Sequence, residues 1–131
     1  MTNIKAKKLI LTLISALMTI TILTITASAR FSNTSSIYVG LSYSTTYGAQ
    51  CSGSITGYTG ATISDGSLVL TDSSGNILKS WTGLSSSSNT LSVAKAYSGV
   101  SKGNTYTLTI SGKVTLNGES EFVSTSTTRK Y

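Results

Sequence analysis

The strongest constraint on this chain is a period of two. In TYTLTISGKV, residues 105 to 114, Tyr106, Leu108, Ile110 and Val114 share one face of an extended chain. Thr105, Thr107, Thr109 and Lys113 share the other, because successive side chains of a strand point to opposite sides. AQCSGSITGY, residues 49 to 58, repeats the pattern with Ala49, Cys51, Gly53 and Ile55 opposed to Gln50, Ser52, Ser54 and Thr56. Five further runs join them at residues 37 to 43, 67 to 72, 77 to 81, 90 to 97 and 120 to 128. Clusters of Gly, Ser and Asn separate the runs, no helical period competes with them, and the turn signals recur every 8 to 12 residues or so. This spacing predicts an all-β, antiparallel β-sandwich of about seven strands.

One face of each run is apolar and the other hydroxylic, as in antiparallel sheets with one wetted side. There are 23 serines and 16 threonines among the 102 residues from Arg30 onward, so hydroxyls rather than charges cover the outside. Threonine, branched at Cβ, also favours the extended chain. DSSGN, Asp72 to Asn76, reads as a hairpin turn with glycine at positive φ. GLSSSSN, Gly83 to Asn89, reads as a flexible crossing from one sheet to the other.

The N-terminal residues have another grammar. Lys5, Lys7 and Lys8 precede an uncharged apolar run, Leu9 to Ile25, and Ala27-Ser28-Ala29 offers small residues at both positions a signal peptidase reads. Residues 1 to 29 are therefore expected to be a cleavable, helical secretory signal, and 30 to 131 a single domain. A retained signal is the one route to the membrane. Cleavage lowers the net charge from +6 to +3, and the charges are scattered, which argues against nucleic acid. Cys51 is the only cysteine, so no intrachain disulfide forms and the core must suffice alone. It lies too far beyond the apolar run to be a lipid attachment site. Without proline, LPxTG wall sorting is excluded too. Release from the cell, or loose association with its wall, is the expected location.

The missing residues restrict chemistry further. There is no histidine, so nucleophilic triads lack the imidazole that accepts their proton. Beyond the signal the only acids are Asp65, Asp72, Glu119 and Glu121. A glycosidase needs two carboxylates converging across a cleft, whereas Glu119 and Glu121 stand on one strand face where solvated charge is the expected reading. Asp72, Ser74 and Asn76 alternate oxygens, but calcium takes six to eight, several from carboxylates, and a hairpin turn is favoured. Lys113, Asn117 and Glu119 hold the groups of an isopeptide cross-link, yet within one hairpin it would staple nothing. No enzyme, metal or cofactor is expected.

Binding is left. Tyr38, Tyr43, Tyr47, Tyr58 and Trp81 are candidates for an aromatic platform for sugar rings. Period-two counting turns only Tyr38 and Tyr58 outward. Arg30, Arg129 and Lys130 form a basic spot if the first and last strands lie together. These residues suit anionic cell-wall polymers or carbohydrate, and a secreted toxin or bacteriocin-like effector is the alternative for a small cationic exported chain.

VSKGNTY, Val100 to Tyr106, resembles the apolar-x-x-Gly-x-x-Tyr corner of fibronectin type III and related immunoglobulin-like domains. The resemblance implies an immunoglobulin-like sandwich in which Tyr106 opens a strand and bonds backbone a few residues upstream, satisfying a buried carbonyl, with Val100 its apolar partner and Gly103 its turn residue. It also places Cys51 and Leu108 where antibody-type domains carry their disulfide. Trp81 falls 30 residues beyond Cys51, too far for the usual core tryptophan. CSGSITGYTGAT, LVLTDSSGNILKSW and YSGVSKGNTYTLTISGKV, followed by a late glutamate and terminal tyrosine, are similar in order to small secreted immunoglobulin-like proteins of Gram-positive, clostridia-like bacteria. That likeness implies fold and export and supplies no activity. Cys51, on the apolar face, is expected to be a buried, inert thiol.

Overall fold

The period of two becomes seven strands in a computed structural model that describes residues 31 to 131. They are β1 (Thr34–Ser44), β2 (Gly48–Gly57), β3 (Thr62–Asp72), β4 (Ile77–Ser86), β5 (Thr90–Tyr97), β6 (Thr105–Leu116) and β7 (Glu119–Lys130). The expected signal segment, residues 1 to 29, and Arg30 lie outside the described residues. A three-stranded sheet in the order β1-β2-β5 and a four-stranded sheet in the order β4-β3-β6-β7 are both antiparallel throughout. They pack as a β-sandwich. β1 passes beside β7, so the first and last strands do lie together.

Burial follows the alternation. Ala49, Cys51 and Ile55 from β2 meet Tyr106, Leu108, Ile110 and Val114 from β6 in one core, joined by Leu68 and Leu70 of β3 and by Val123 of β7. The sheets approach closely at a reciprocal pair of glycines. A Cβ on Gly53 would lie 2.6 Å from Ile110 Cδ1, and one on Gly112 would lie 2.8 Å from Ile55 Cδ1. Each glycine leaves room for an isoleucine of the opposite sheet, and an added methyl would overpack the contact.

Several elements differ from the expected spans. β3 starts at Thr62 rather than Ser67 because its alternation is interrupted: Asp65 takes φ 50° and the register with β6 shifts between Ser64 and Ser67. Such an extra residue is a bulge, and it hides a strand from period-two counting. β4 runs on to Ser86, so half of the expected flexible crossing is strand and only residues 87 to 89 bridge the sheets. β1, β6 and β7 are also longer than expected. The DSSGN segment is a turn. Asp72 Oδ1 accepts from the Ser74 and Asn76 N–H groups at 2.9 Å each, Oδ2 accepts from Asn76 Nδ2 at 3.1 Å, and Gly75 takes φ 84°.

Tyr106 is buried at the mouth of β6, with Val100 half-buried against the core and Gly103 at φ 89° in the intervening turn. Its phenolic oxygen accepts from the Ser101 N–H at 2.9 Å, and its O–H lies 3.5 Å from the Ser101 carbonyl. The expected bond to an upstream carbonyl is present but long, and the shorter bond is the one accepted from the Ser101 amide. Either way the ring fastens the β5–β6 crossover to the core.

Candidate functional site

The five aromatics do not form one platform. Tyr43 is half-buried, its ring centroid 4.6 Å from that of Tyr131 and 6.1 Å from that of Tyr106. Trp81 packs against the core from β4, and Tyr47 stands in the β1–β2 turn. Tyr38 and Tyr58 are exposed, at 59% and 50%. Tyr58 sits just beyond β2, its N–H bonded to the Asn33 carbonyl at 2.9 Å. Tyr38 stands four positions along β1 from Thr34, the partner of Gly57, so the two rings are separate features.

The basic residues separate as well. Arg129 and Lys130 are adjacent on β7 and therefore point to opposite faces. Arg129 turns toward β1, where Nη1 donates to the Leu41 carbonyl at 3.4 Å, while its own carbonyl accepts from Tyr43 Oη at 2.5 Å. Lys130 lies opposite Thr105 on the outer face of the four-stranded sheet. Tyr38 is on the outer face of the other sheet. No single surface combines Tyr38 with Lys130.

The surroundings of Tyr38 make a site of their own. Gly40 follows it on the same face, and a Cβ there would come within 3.0 Å of Tyr38 Cζ and of Ser52 Oγ. The missing side chain lets the phenol lie along the sheet with its hydroxyl end over the glycine and the ring largely exposed. Beside it Gly40 pairs with Ser52, and Ser42 with Gln50. Ser52 Oγ donates to the Gly40 carbonyl at 3.3 Å and Ser42 Oγ to Gln50 Oε1 at 3.2 Å, which leaves the Gln50 amide N–H groups available. Across β2 the floor continues through Ser92 and Ala94 of β5. A flat ring bordered by hydroxyl and amide groups on a floor of small residues is chemistry for stacking a saccharide and bonding its hydroxyls. Sequence reading found Tyr38 but passed over Gly40, Ser42, Gln50 and Ser52. The available signal was an outward glycine two places after an outward tyrosine.

The other candidates resolve into structural roles. Cys51 is buried, and burial pushes its thiol up to about 11, which suppresses the reactive thiolate. Lys113 pairs with Asp65 at 3.5 Å, across the sheet from Asn117 and Glu119, so no cross-linking triad assembles. Asp72 is fully occupied by its turn, and no cluster of three metal-ligating side chains occurs among the described residues. A shallow cavity of about 250 Å³ between Asp72, Leu78, Gly99, Asn104 and Tyr106 contains that single carboxylate. Glu121, expected to be solvated, instead takes hydrogen bonds from Ser32, Asn33 and Thr34, because β7 runs beside the entrance to β1.

No protein-family model and no curated protein matches the chain.

Proposed function

We propose that this is an exported, non-catalytic immunoglobulin-like domain that binds neutral glycan at or beyond the cell envelope through the Tyr38 face. The immunoglobulin-like reading is supported by the exchange of strands between sheets and by the Tyr106 corner. The first, second and fifth strands share one sheet and the third, sixth and seventh the other, as in constant-type domains, with the fourth moved to the edge beside the third. Export rests on the processing pattern of residues 1 to 29.

The observation that carries the binding role is the exposed Tyr38 phenol lying along the sheet with its tip over Gly40. A tyrosine merely decorating a strand projects into solvent, whereas here the absent Gly40 side chain gives the phenol tip room against the strand. Neutral glycan is favoured over the anionic polymers because Arg129 and Lys130 face apart and neither accompanies Tyr38. The test is retention of the full chain on insoluble cell wall, competed by soluble neutral oligosaccharides. Tyr38→Ala should weaken retention about tenfold, the equivalent of one aromatic contact. Salt should change it little, since screening acts on charges. Unchanged retention by Tyr38→Ala, with loss in the Arg129→Ser, Lys130→Ser double variant, would return the site to the basic residues.

A further inference from the structure

An edge strand offers unpaired peptide groups to any other strand, and folds commonly blunt it with a bulge, a charge or a proline. The four edges of this sandwich differ in that respect. β1 has a register irregularity between Thr34 and Ser36, and β4 has three against β3. β5 pairs without a shift but is eight residues long, and its one charge, Lys95, has no acid on the strand to complement it. β7 pairs with β6 without a shift over all 12 of its residues, and Phe122 to Thr128 contains neither charge nor proline.

The turn leading into β7 determines which of its peptide groups are open. Asn117 and Gly118, at φ 52° and 78°, form a two-residue hairpin turn, so Leu116 and Glu119 exchange both hydrogen bonds. By the antiparallel alternation, odd-numbered residues of β7 then bond to β6. Ser120, Phe122, Ser124, Ser126, Thr128 and Lys130 direct N–H and C=O to the open edge. β1 does not cap them. Tyr43 of β1 reaches the carbonyl of Arg129, and Asn33, just before β1, that of Glu119, both odd-numbered.

β7 also carries its charges at opposite ends: Glu119 and Glu121 at the start, Arg129 and Lys130 at the finish. Turned antiparallel against itself, the strand sets its acidic end beside its basic end. We propose that β7 is the seam of a symmetric homodimer in which a second copy of this chain pairs antiparallel about a two-fold axis at Ser124. Ser124 then faces Ser124 of the second copy, Phe122 faces Ser126, Ser120 faces Thr128, and Glu119 faces Arg129. The charged pair falls at a non-hydrogen-bonded position, where side chains are closest. Neither Glu119 nor Arg129 has an ion-pair partner among the described residues. The peptide bonds hold the seam and the charges select its register. Because the axis is perpendicular to the sheet, the two four-stranded sheets join into one of eight strands. Both Tyr38 faces then point the same way, which suits a repetitive polymer through avidity.

The seam is tested on the full chain, independently of any glycan. The two copies of position 124 would have their Cα atoms about 5.5 Å apart across the axis, inside the range a disulfide spans. Ser124→Cys should therefore become a covalent dimer under oxidised glutathione, with Cys51 too buried to compete. Ser111→Cys, opposite Ser124 but one strand inward, should remain uncross-linked. Glu119→Arg and Arg129→Glu should each weaken the dimer in sedimentation equilibrium by about tenfold, and the double swap should recover most of that loss. A chain that stays monomeric to millimolar concentration, or a dimer in which Ser124→Cys fails to cross-link, would overturn the seam. Cross-linking that persists unchanged in both charge reversals would overturn the Glu119–Arg129 register.

Discussion

Where β1 passes β7, the two ends of the sandwich are closed by different chemistry. At one end the fasteners are neutral rings. Tyr43 Oη donates to the Arg129 carbonyl at 2.5 Å, Tyr131 Oη donates to the Ser44 carbonyl at 3.2 Å, and the Tyr131 backbone bonds Gly103 and Asn104. At the other end the fastener is one carboxylate. Glu121 accepts from the Ser32 N–H at 2.9 Å, Ser32 Oγ at 3.0 Å, the Asn33 N–H at 2.8 Å and Thr34 Oγ1 at 2.9 Å. That orders buried Asn33, whose Nδ2 reaches the Val114 and Glu119 carbonyls at 3.1 and 3.0 Å. Rings contribute area as well as a polar tip, so losing one hydroxyl leaves the packing in place. A carboxylate contributes almost only hydrogen bonds, and losing it strands every donor at once.

The largest difference should therefore come from Glu121→Ala. It leaves the Ser32, Asn33 and Thr34 donors without their acceptor and should cost about 2 kcal/mol, because bonds to a charged group exceed neutral ones. Thermal denaturation should show a fall of roughly 10 °C for a domain of this size. A midpoint equal to that of the parent would show that water replaces the carboxylate freely.

Tyr106→Phe should cost less, about 1 kcal/mol, since the ring keeps its burial, the Ser101 N–H loses its acceptor and the Ser101 carbonyl loses only a long bond. The two ends share no partner, so Glu121→Ala combined with Tyr106→Phe should show additive losses in denaturant midpoints. Non-additivity beyond experimental error would mean that β1 couples the ends.

The ends should also separate by pH. Burial tends to raise the Glu121 carboxyl, but the hydrogen bonds from Asn33, Thr34 and Ser32 together outweigh it and hold it below its ordinary 4.5. A carboxyl depressed by folding contributes stability above the ordinary value, and this is lost as pH falls through the folded one. Tyr43 is shifted upward from 10.0, first by burial and then by neighbouring Tyr106, against the opposing effect of Arg129 and with a further contribution from Cys51. Its contribution is complete below 10.0 and lost as pH rises through the raised value. Amide exchange should accordingly loosen near Asn33 first in acid and near Tyr43 first in alkali. The same end loosening in both directions would break the distinction. The smallest effect is expected of Tyr43→Phe, about 0.5 kcal/mol, because that hydroxyl is open to water that can replace it.

Much of the fold was legible because burial and extension leave the same trace. In β2 and β6 each inward residue is apolar and each outward one polar or hydroxylic, so faces and strands could be read together. β3 was legible only from Ser67, since the bulge at Asp65 and Gly66 breaks the count. The crossover tyrosine was readable from Gly103 and Tyr106. That its shorter bond goes to the Ser101 amide rather than the carbonyl was not, because the two differ only in how the turn presents them. Of the binding candidates, the outward direction of Tyr38 was visible in its parity, and the placement of its phenol tip over Gly40 was not.

The sequence by itself determined that the described chain is all-β, which positions of its regular strands face inward, and that no histidine-based chemistry is available. These are properties of residue identity and of a period of two, and both are local. Tertiary structure alone decided that β4 lies beside β3, that Arg129 reaches the Leu41 carbonyl of β1, and that Glu121 grips residues almost ninety positions away. It also left β7 unblunted at the edge of its sheet. Such outcomes depend on which strands become neighbours, and that is settled by packing two sheets around one core rather than by any segment's own preference.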